Sequence, residues 1–366
     1  MRHDQRLVQA AIIAVLLAAP AVAYHFFGGG RLSVVPSSEA YRWEPQDFPL
    51  RFRILENEHL PSIPGLTAAT WRELIERAFA HWTAIPTARI AIVVDDETLI
   101  ADRAADDQIN TVGFGVAAED EDEFGFAATA RWRWDAGDWV GCDIEFNPSH
   151  YADLYETHQE EEFPDAAFWI SLENTMIHEM GHCLGLAHST LNAMWPETAA
   201  RPDWVREAGT FPEGVGVFAP HPNMSYGNNF GFVGLTSDDE IAVSLLYPAP
   251  GFLESRNSLG GRVVFENGDP APFVYVQTVD STGTAGFGPG TFTDQSGQFL
   301  LEGIRPGPVM LWVHPLAIPG AHTFREAVQE SGSLGILDRW RWTRVPADRG
   351  QLVILPEITV LTGRAP

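Results

Sequence analysis

The chain contains the stretch His178-Glu179-Met180-Gly181-His182-Cys183-Leu184-Gly185-Leu186-Ala187-His188, which has the pattern H-E-x-x-H-x-x-G-x-x-H. On an α-helix, residues four apart lie on one face, so His178 and His182 can direct two imidazoles at one metal ion. Glu179 can reach a water on that ion without ligating it. Gly185 lets the chain leave the helix through a left-handed turn, which brings His188 round as a third ligand. Three protein ligands plus water is the arrangement of a catalytic zinc, so the pattern predicts one zinc ion with Glu179 as general base.

The residues within and before this stretch predict a long helix with one buried face. Apolar residues recur at every fourth position: Phe168, Leu172, Met176, Met180 and Leu184. At 3.6 residues per turn, His178 and His182 lie about 200° round the helix from this ladder. One face is therefore expected to pack in a core and the opposite face to line a cleft, with Asp165 as the N-cap.

The eleven-residue motif resembles that of the metzincin metallopeptidases, and Ser189, directly after the third histidine, is similar to the matrixin branch. Residues 235–247 also look like the final helix of a matrixin catalytic domain. The resemblance implies an α+β domain at residues 48–250, in which a twisted mixed sheet accompanies a long active-site helix. It also implies hydrolysis of a protein or peptide substrate.

Metzincins carry a methionine turn beneath the zinc, and two segments of this chain resemble one. We favour Asn223-Met224-Ser225-Tyr226-Gly227, because the acidic pair Asp238-Asp239 follows it at a family-like distance. The alternative is Met194, in Ala193-Met194-Trp195-Pro196.

Two further expectations rest on this resemblance alone. In the astacin and serralysin branches, a tyrosine at the position of Tyr226 reaches the zinc. Here its hydroxyl either donates to the oxyanion of the transition state or bonds to backbone within the turn. The family-like layout also puts the strand of Cys142 near the helix of Cys183, which leaves a disulfide and a pair of buried thiols both open.

Upstream of the motif, the spacing of apolar residues and a capping signal predict strands and one helix. Alternation predicts strands at 50–55, 88–94 and 111–116, and Thr70-Trp71-Arg72-Glu73 is a capping box that opens a helix. Residues 141–147 resemble the matrixin edge strand beside the cleft, to which an extended substrate can add as a further strand.

Two acidic segments are candidates for binding additional metal ions. Residues 119–123 are five acids in a row, and they form either a solvated loop or a calcium site of the kind that matrixins often contain. His150, Asp153 and His158 follow no established ligand spacing, so we expect them to be surface residues rather than a second metal site.

Composition limits the partners and the location of the chain. Its 23 basic and 49 acidic residues give a formal net charge of −26, which argues against nucleic acid and anionic membranes as partners. Residues 1–23 predict a signal peptide, with a basic start, an apolar middle and Ala21-Val22-Ala23 before the cleavage point. An uncleaved anchor is the alternative. Cleavage gives a secreted protein, extracellular or periplasmic, with residues 24–47 as an N-terminal arm.

The C-terminal part predicts a second domain. Ala249-Pro250-Gly251 indicates a boundary, and strands alternate beyond it at 261–266, 273–279, 291–294, 298–301 and 309–313. Together with the turn at Asn267-Gly268, these segments resemble a carboxypeptidase regulatory-like (prealbumin-like) β-sandwich. The resemblance implies an accessory domain at residues 256–366 without catalytic residues.

The sequence therefore predicts a secreted zinc endopeptidase, and two alternatives stay open. One is a non-catalytic zinc-dependent binding protein, and the other is a dedicated processing factor that docks through its β-sandwich. The presence of Glu179 favours the endopeptidase, because a protein that only holds zinc does not need that carboxylate.

Overall fold

The computed structural model describes residues 37, 40–55, 60–99, 109–115, 127–135, 138–158, 164–189, 223–224, 233–272, 274–280, 287–314, 339–345 and 350–361. The signal-peptide segment, the acidic run at 119–123, Met194 and Tyr226 lie outside these ranges. Within them, no helix has both the length and the apolar character needed to cross a membrane. The described residues fall into two compact units, one drawn from 41–186 and 233–235 and the other from 37, 40, 187–189, 223–224 and 236–361.

The first unit is α+β and is built on a mixed five-stranded sheet. Its strands are β1 (Leu50–Leu55), β2 (Ile92–Leu99), β3 (Asn110–Phe114), β4 (Ala128–Asp135) and β5 (Asp138–Phe146). The order across the sheet is β2-β1-β3-β5-β4. Four of these strands run parallel, while β4 pairs antiparallel with β5 and forms one edge.

The sheet confirms one strand prediction and corrects others. β1 has the predicted bounds, whereas β2 begins four residues later than predicted and β3 begins one residue earlier. The prediction that residues 141–147 form an edge strand is wrong. They belong to β5, which is flanked on one side by β3 and on the other by β4, so β4 is the outermost described strand on this side of the sheet.

Three helices complete this unit: α1 (Ala68–Thr83), α2 (Pro148–His158) and α3 (Pro164–Cys183). The capping box of α1 lies three residues earlier than predicted. The Thr67 side chain accepts from the Thr70 amide while the Thr70 hydroxyl accepts from the Thr67 amide. The prediction that Asp165 caps α3 is also wrong. The helix already begins at Pro164, because a proline at the first helical position has a suitable φ and needs no amide partner.

The core of the first unit is aromatic. The rings of Trp71, Phe114, Phe146, Tyr151 and Phe168 lie in successive contact, with centroids 4.8–6.3 Å apart. They come from α1, the sheet, α2 and α3. The cluster therefore packs the active-site helix predicted from the motif against the sheet.

A partly buried ion pair also joins α1 to α3. Arg77 donates from Nε and from a terminal nitrogen to the two carboxylate oxygens of Glu173, both at 2.8 Å. His81 Nε2 lies 3.8 Å from the same carboxylate. Burial raises the pKa of Glu173, but the hydrogen bonds from His81 and Arg77 outweigh it and bring the pKa down to about 2.

We expect Glu173→Gln to lower the free energy of unfolding by about 1–2 kcal/mol at neutral pH, a range reduced because Arg77 is half exposed. The pKa is depressed, so this stabilisation is present above the ordinary value of 4.5 and is lost as pH falls toward about 2. Denaturant titrations of both proteins at neutral and acid pH measure it. The control is Glu76→Gln, which removes the more exposed pair with Arg72 on the same helix. If the free energies of unfolding of wild type and Glu173→Gln differ by the same amount at both pH values, this account is contradicted.

In its described residues, the second unit contains the α-helix α4 (Ser237–Leu246), a short 3-10 helix at Leu253–Ser255 and two four-stranded sheets. The strands are β6 (Asn257–Phe265), β7 (Tyr275–Asp280), β8 (Phe287–Phe292), β9 (Gln298–Ile304), β10 (Gly307–His314), β11 (Arg339–Val345), β12 (Leu352–Ile354) and β13 (Ile358–Val360). One sheet has the order β11-β10-β7-β8, and in the other β6 pairs with β12, β13 and β9. We call residues 257–361 the β domain.

The β domain has its own apolar core, supplied from both sheets by fully buried side chains: Leu259, Val263, Val274, Val276, Phe299, Leu301, Leu311 and Val313. The five predicted strands all exist, with bounds shifted by no more than four residues. The predicted turn at Asn267-Gly268 also exists, with Gly268 at a φ of 85° that favours glycine. The described part of the region from residue 257 onward is therefore all-β, as the alternation predicts.

Candidate metal centre

The end of α3 is a backbone turn that redirects the chain after His182. The amide of Leu186 donates to Gly181 O at 3.1 Å, and the amide of Gly185 donates to His182 O at 2.8 Å. With Gly185 at a φ of 98°, these bonds form a Schellman motif. The left-handed turn predicted at Gly185 is thus confirmed, and it is where the chain turns toward His188.

Within the contiguous segment 178–188, the structure brings the three predicted histidines together. One ligand nitrogen from each of His178, His182 and His188 lies within 4.8 Å of the other two. The His178 and His182 rings are nearly perpendicular, with centroids 4.6 Å apart. The apolar ladder of α3 is fully buried, which confirms the predicted core face. His182 and Glu179 are buried as well, so burial does not distinguish a second, cleft-lining face.

Hydrogen bonding determines which nitrogen of His182 can serve as a ligand. Its Nδ1 lies 2.7 Å from Leu186 O, and because a carbonyl only accepts, Nδ1 carries the proton. The lone pair is then on Nε2, and fixing the tautomer in this way is a common preparation for metal binding. Burial, followed by the nearby His178, lowers the pKa of His182 to about 3, which keeps the ring neutral.

Glu179 is buried beside these histidines, with 6% of its surface exposed. Burial raises the pKa of its carboxyl to about 8, and a hydrogen bond from the Ala130 backbone amide opposes that rise. Ala130 lies on the edge strand β4. A carboxyl with a pKa near neutrality can both accept and return a proton, which is what general acid–base chemistry needs.

Three indole groups from separate elements bind carbonyls near the end of α3. Trp82 Nε1 donates to Ile177 O at 2.9 Å, Trp132 Nε1 to His182 O at 3.1 Å, and Trp43 Nε1 to Cys183 O at 2.7 Å. Cys183 is the last residue of the helix, where carbonyls have no partner within the helix, so the Trp43 bond satisfies one of these groups. The other two bonds add a side-chain donor to the carbonyls of Ile177 and His182. Trp132 also places its ring edge-on to the His182 ring. Sequence reasoning did not identify these tryptophans.

A disulfide joins Cys142 in β5 to Cys183 at the end of α3. The two half-cystines are 41 residues apart in sequence, and both are fully buried. The bond ties the last residue of α3 to a strand that is paired on both sides.

We expect Cys142→Ala with Cys183→Ala to lower the free energy of unfolding by about 2–4 kcal/mol, because the open chain regains loop entropy when it unfolds. Denaturant unfolding of oxidised wild type and double variant measures the difference. A thiol titration of the denatured, oxidised wild type is the control and should find no free thiol. Equal unfolding midpoints would show that the bridge does not stabilise the fold.

The residues around Met224 are held by two neighbouring carboxylates. The Ser189 amide donates to Met224 O at 2.6 Å, and the Ser189 hydroxyl donates to Asp238 at 3.0 Å. The amides of Asn223 and Met224 donate to Asp239 at 2.8 and 3.1 Å. Burial and the adjacent Asp239 raise the pKa of Asp238 well above its ordinary value, which favours its neutral form. Met224, which we favoured for the methionine turn, therefore bonds to the residue directly after His188.

Other candidates lie apart from this cluster or cannot be placed. Among the described side chains, the group able to hold a metal consists of the three histidines and does not include His150 or Asp153 on α2. Burial lowers the pKa of His150, whose ring packs against Tyr151. His158 ends the same helix. Tyr226, Met194 and the acidic run at 119–123 fall outside the described residues.

Comparisons with known proteins find solved structures that align with only part of the chain. No protein-family model matches it, and no curated protein does. Solved structures that align with it include the Bacillus anthracis TIE protein, at 14% identity over 30% of this chain and 17% of that one, with a TM-score of 0.20. The minor pilin of Streptococcus agalactiae aligns at 14% identity over 31% and 48% of the two chains, with a TM-score of 0.21. Klebsiella pneumoniae 5-hydroxyisourate hydrolase aligns at 15% identity over 30% and 94%, with a TM-score of 0.19. The chain spans less than half of the first two structures, and TM-scores this low support no assignment of fold or function.

Proposed function

We propose that this chain is a zinc-dependent endopeptidase of matrixin-like metzincin type. The observation that carries the proposal is the convergence of three imidazole nitrogens within 4.8 Å of one another, from His178, His182 and His188. Three neutral nitrogen donors fit zinc and leave one position of a tetrahedral site for water. A buried carboxylate, Glu179, accompanies them without being a ligand.

Bound zinc would polarise the scissile carbonyl and lower the pKa of a coordinated water. The residues of the chain supply the rest of the chemistry. Glu179 accepts a proton from water as general base and returns it to the departing amine as general acid. The Ala130 amide and the low exposure of Glu179 hold its carboxyl in one place and keep its pKa near neutrality.

The edge strand β4 is the proposed binding surface for the peptide. Among the described strands, β4 pairs with β5 alone, so an extended chain added at its outer side would form an additional strand. Ala130 and Trp132 connect β4 directly to Glu179 and to the end of α3. A peptide bound along β4 would therefore lie next to the catalytic carboxylate.

Export and the accessory role of the β domain belong to the same proposal. The leader-like residues 1–23 favour secretion, and the disulfide between Cys142 and Cys183 suits an oxidising compartment. We assign the β domain to the carboxypeptidase regulatory-like (prealbumin-like) class because its strand and turn pattern resembles that class.

Incubation of the full chain with several unrelated unfolded proteins tests the proposal. We expect broad cleavage that a chelator abolishes and added zinc restores. Stoichiometric zinc binding without cleavage of any of these proteins would instead support the zinc-dependent binding protein. Cleavage confined to one partner protein would support the dedicated processing factor.

A further inference from the structure

The segment that follows His188 is held by the first turn of α4. Ser189 donates its amide to Met224 O and its hydroxyl to Asp238, and Met224 donates its amide to Asp239. Asp239 also accepts from the amide and the hydroxyl of Thr236, at 2.8 and 3.0 Å. The position of the third histidine thus depends on where α4 places its two aspartates.

α4 is too short to hold that position by itself. It has ten residues, and isolated helices below about 12–15 residues are marginal in water, so its stability comes from packing. Seven of its ten residues are buried. Of the remaining three, Glu240 is the exposed one. The buried positions surround most of the helix circumference. The position of α4 is therefore determined by the residues that pack around it.

The β domain supplies part of those surroundings. α4 contacts β8 and β9, the strands through which the two sheets of the β domain meet. Burial raises the pKa of Glu240, while the charges of Arg305 and Arg256 oppose that rise. Arg256 precedes β6 and Arg305 lies between β9 and β10, so both cations belong to the β domain or its entry. Packing against β8 and β9 therefore joins this helix to the β domain, and the charges of Arg305 and Arg256 act on Glu240 from the same side.

We propose that the β domain is a positioning part of the metal centre: it holds α4, and α4 holds Ser189 and Met224 beside His188. This inference rests on the proposed zinc site for its effect on function, and it gives the β domain a role beyond that of a detachable accessory. Arg305 is a positioning residue in this scheme, acting through Glu240 on α4.

The test uses the full chain with Arg305→Glu, which replaces an attraction to Glu240 with a repulsion at an exposed position. We expect hydrogen exchange at the Ser189 and Met224 amides to quicken by about two- to ten-fold, because exposed charge pairs contribute modestly. Zinc affinity, measured against a competing chelator, should fall by a similar factor. Adding Glu240→Arg should restore much of the lost protection, whereas Arg305→Gln should have a smaller effect.

The matched control is Arg262→Glu, which reverses a charge on the same β domain but disrupts an ion pair with Glu357. It should leave exchange at both amides unchanged. Wild-type exchange rates in folded Arg305→Glu would overturn the inference. Because exchange is also measured on metal-free protein, the coupling is tested even if the wild type binds no zinc. A wild type that binds no zinc would refute the proposed function but not this inference.

Discussion

Glu179→Gln is expected to leave zinc bound while peptide hydrolysis falls by about two to four orders of magnitude, the usual cost of losing a general base. Glutamine keeps the volume of the buried side chain and can still accept from the Ala130 amide, so the fold should be preserved. It cannot take a proton from water at neutral pH. The expected loss is therefore in kcat, with little change in KM.

Metal analysis and steady-state kinetics on the same preparations measure the two effects separately. The control is Glu76→Gln, which neutralises a carboxylate on α1 that pairs with Arg72. Its kcat should stay within about two-fold of wild type, as expected for a partly exposed ion pair. Near-normal kcat in Glu179→Gln would mean that another group activates the water.

His188→Ala is expected to weaken zinc binding by at least about a hundred-fold, because loss of a ligand should exceed the 10- to 100-fold cost of losing a supporting residue. Hydrolysis should disappear at zinc concentrations that saturate the wild type. His188→Cys offers a thiolate in place of the imidazole and should recover part of the affinity. Competition with a chelator of known affinity measures each value.

His150→Ala is the matched control for this variant. His150 is a half-buried histidine of the same unit as His178 and His182, but it lies outside the three-histidine cluster. Its removal should leave zinc stoichiometry unchanged. Full zinc occupancy in His188→Ala would show that a different residue supplies the third ligand.

The parts of the site that sequence predicts well are those within one continuous segment. Helical spacing places His178 and His182 on one face, and a glycine at the helix end predicts the turn at Gly185, because local geometry decides both. The buried ladder of α3 follows from the same periodicity. These features need no knowledge of what packs against the helix.

The predictions that failed concern features that depend on segments outside the local pattern. Alternation in residues 141–147 indicates a strand but contains no information on its neighbours, so the edge position belongs to β4 instead. Thr67 and Thr70 both suit a helix start, and the geometry of the preceding loop decides between them. The indole donors Trp43 and Trp82 come from 140 and 95 residues away in sequence, a distance over which no local pattern operates.

Trp132 gives the protein a built-in optical reporter. Its ring centroid lies 6.2 Å from that of His182, and its indole N–H is fixed by a hydrogen bond to the same residue. Zinc has a filled d shell and is diamagnetic, whereas cobalt(II) bound by the same nitrogens would be paramagnetic and would quench an excited indole at such close range. Emission from Trp132 would then dim as cobalt binds and recover as zinc displaces it. A steady-state fluorescence signal can thus follow metal exchange without any label, and Trp132→Phe identifies the contribution of this one ring.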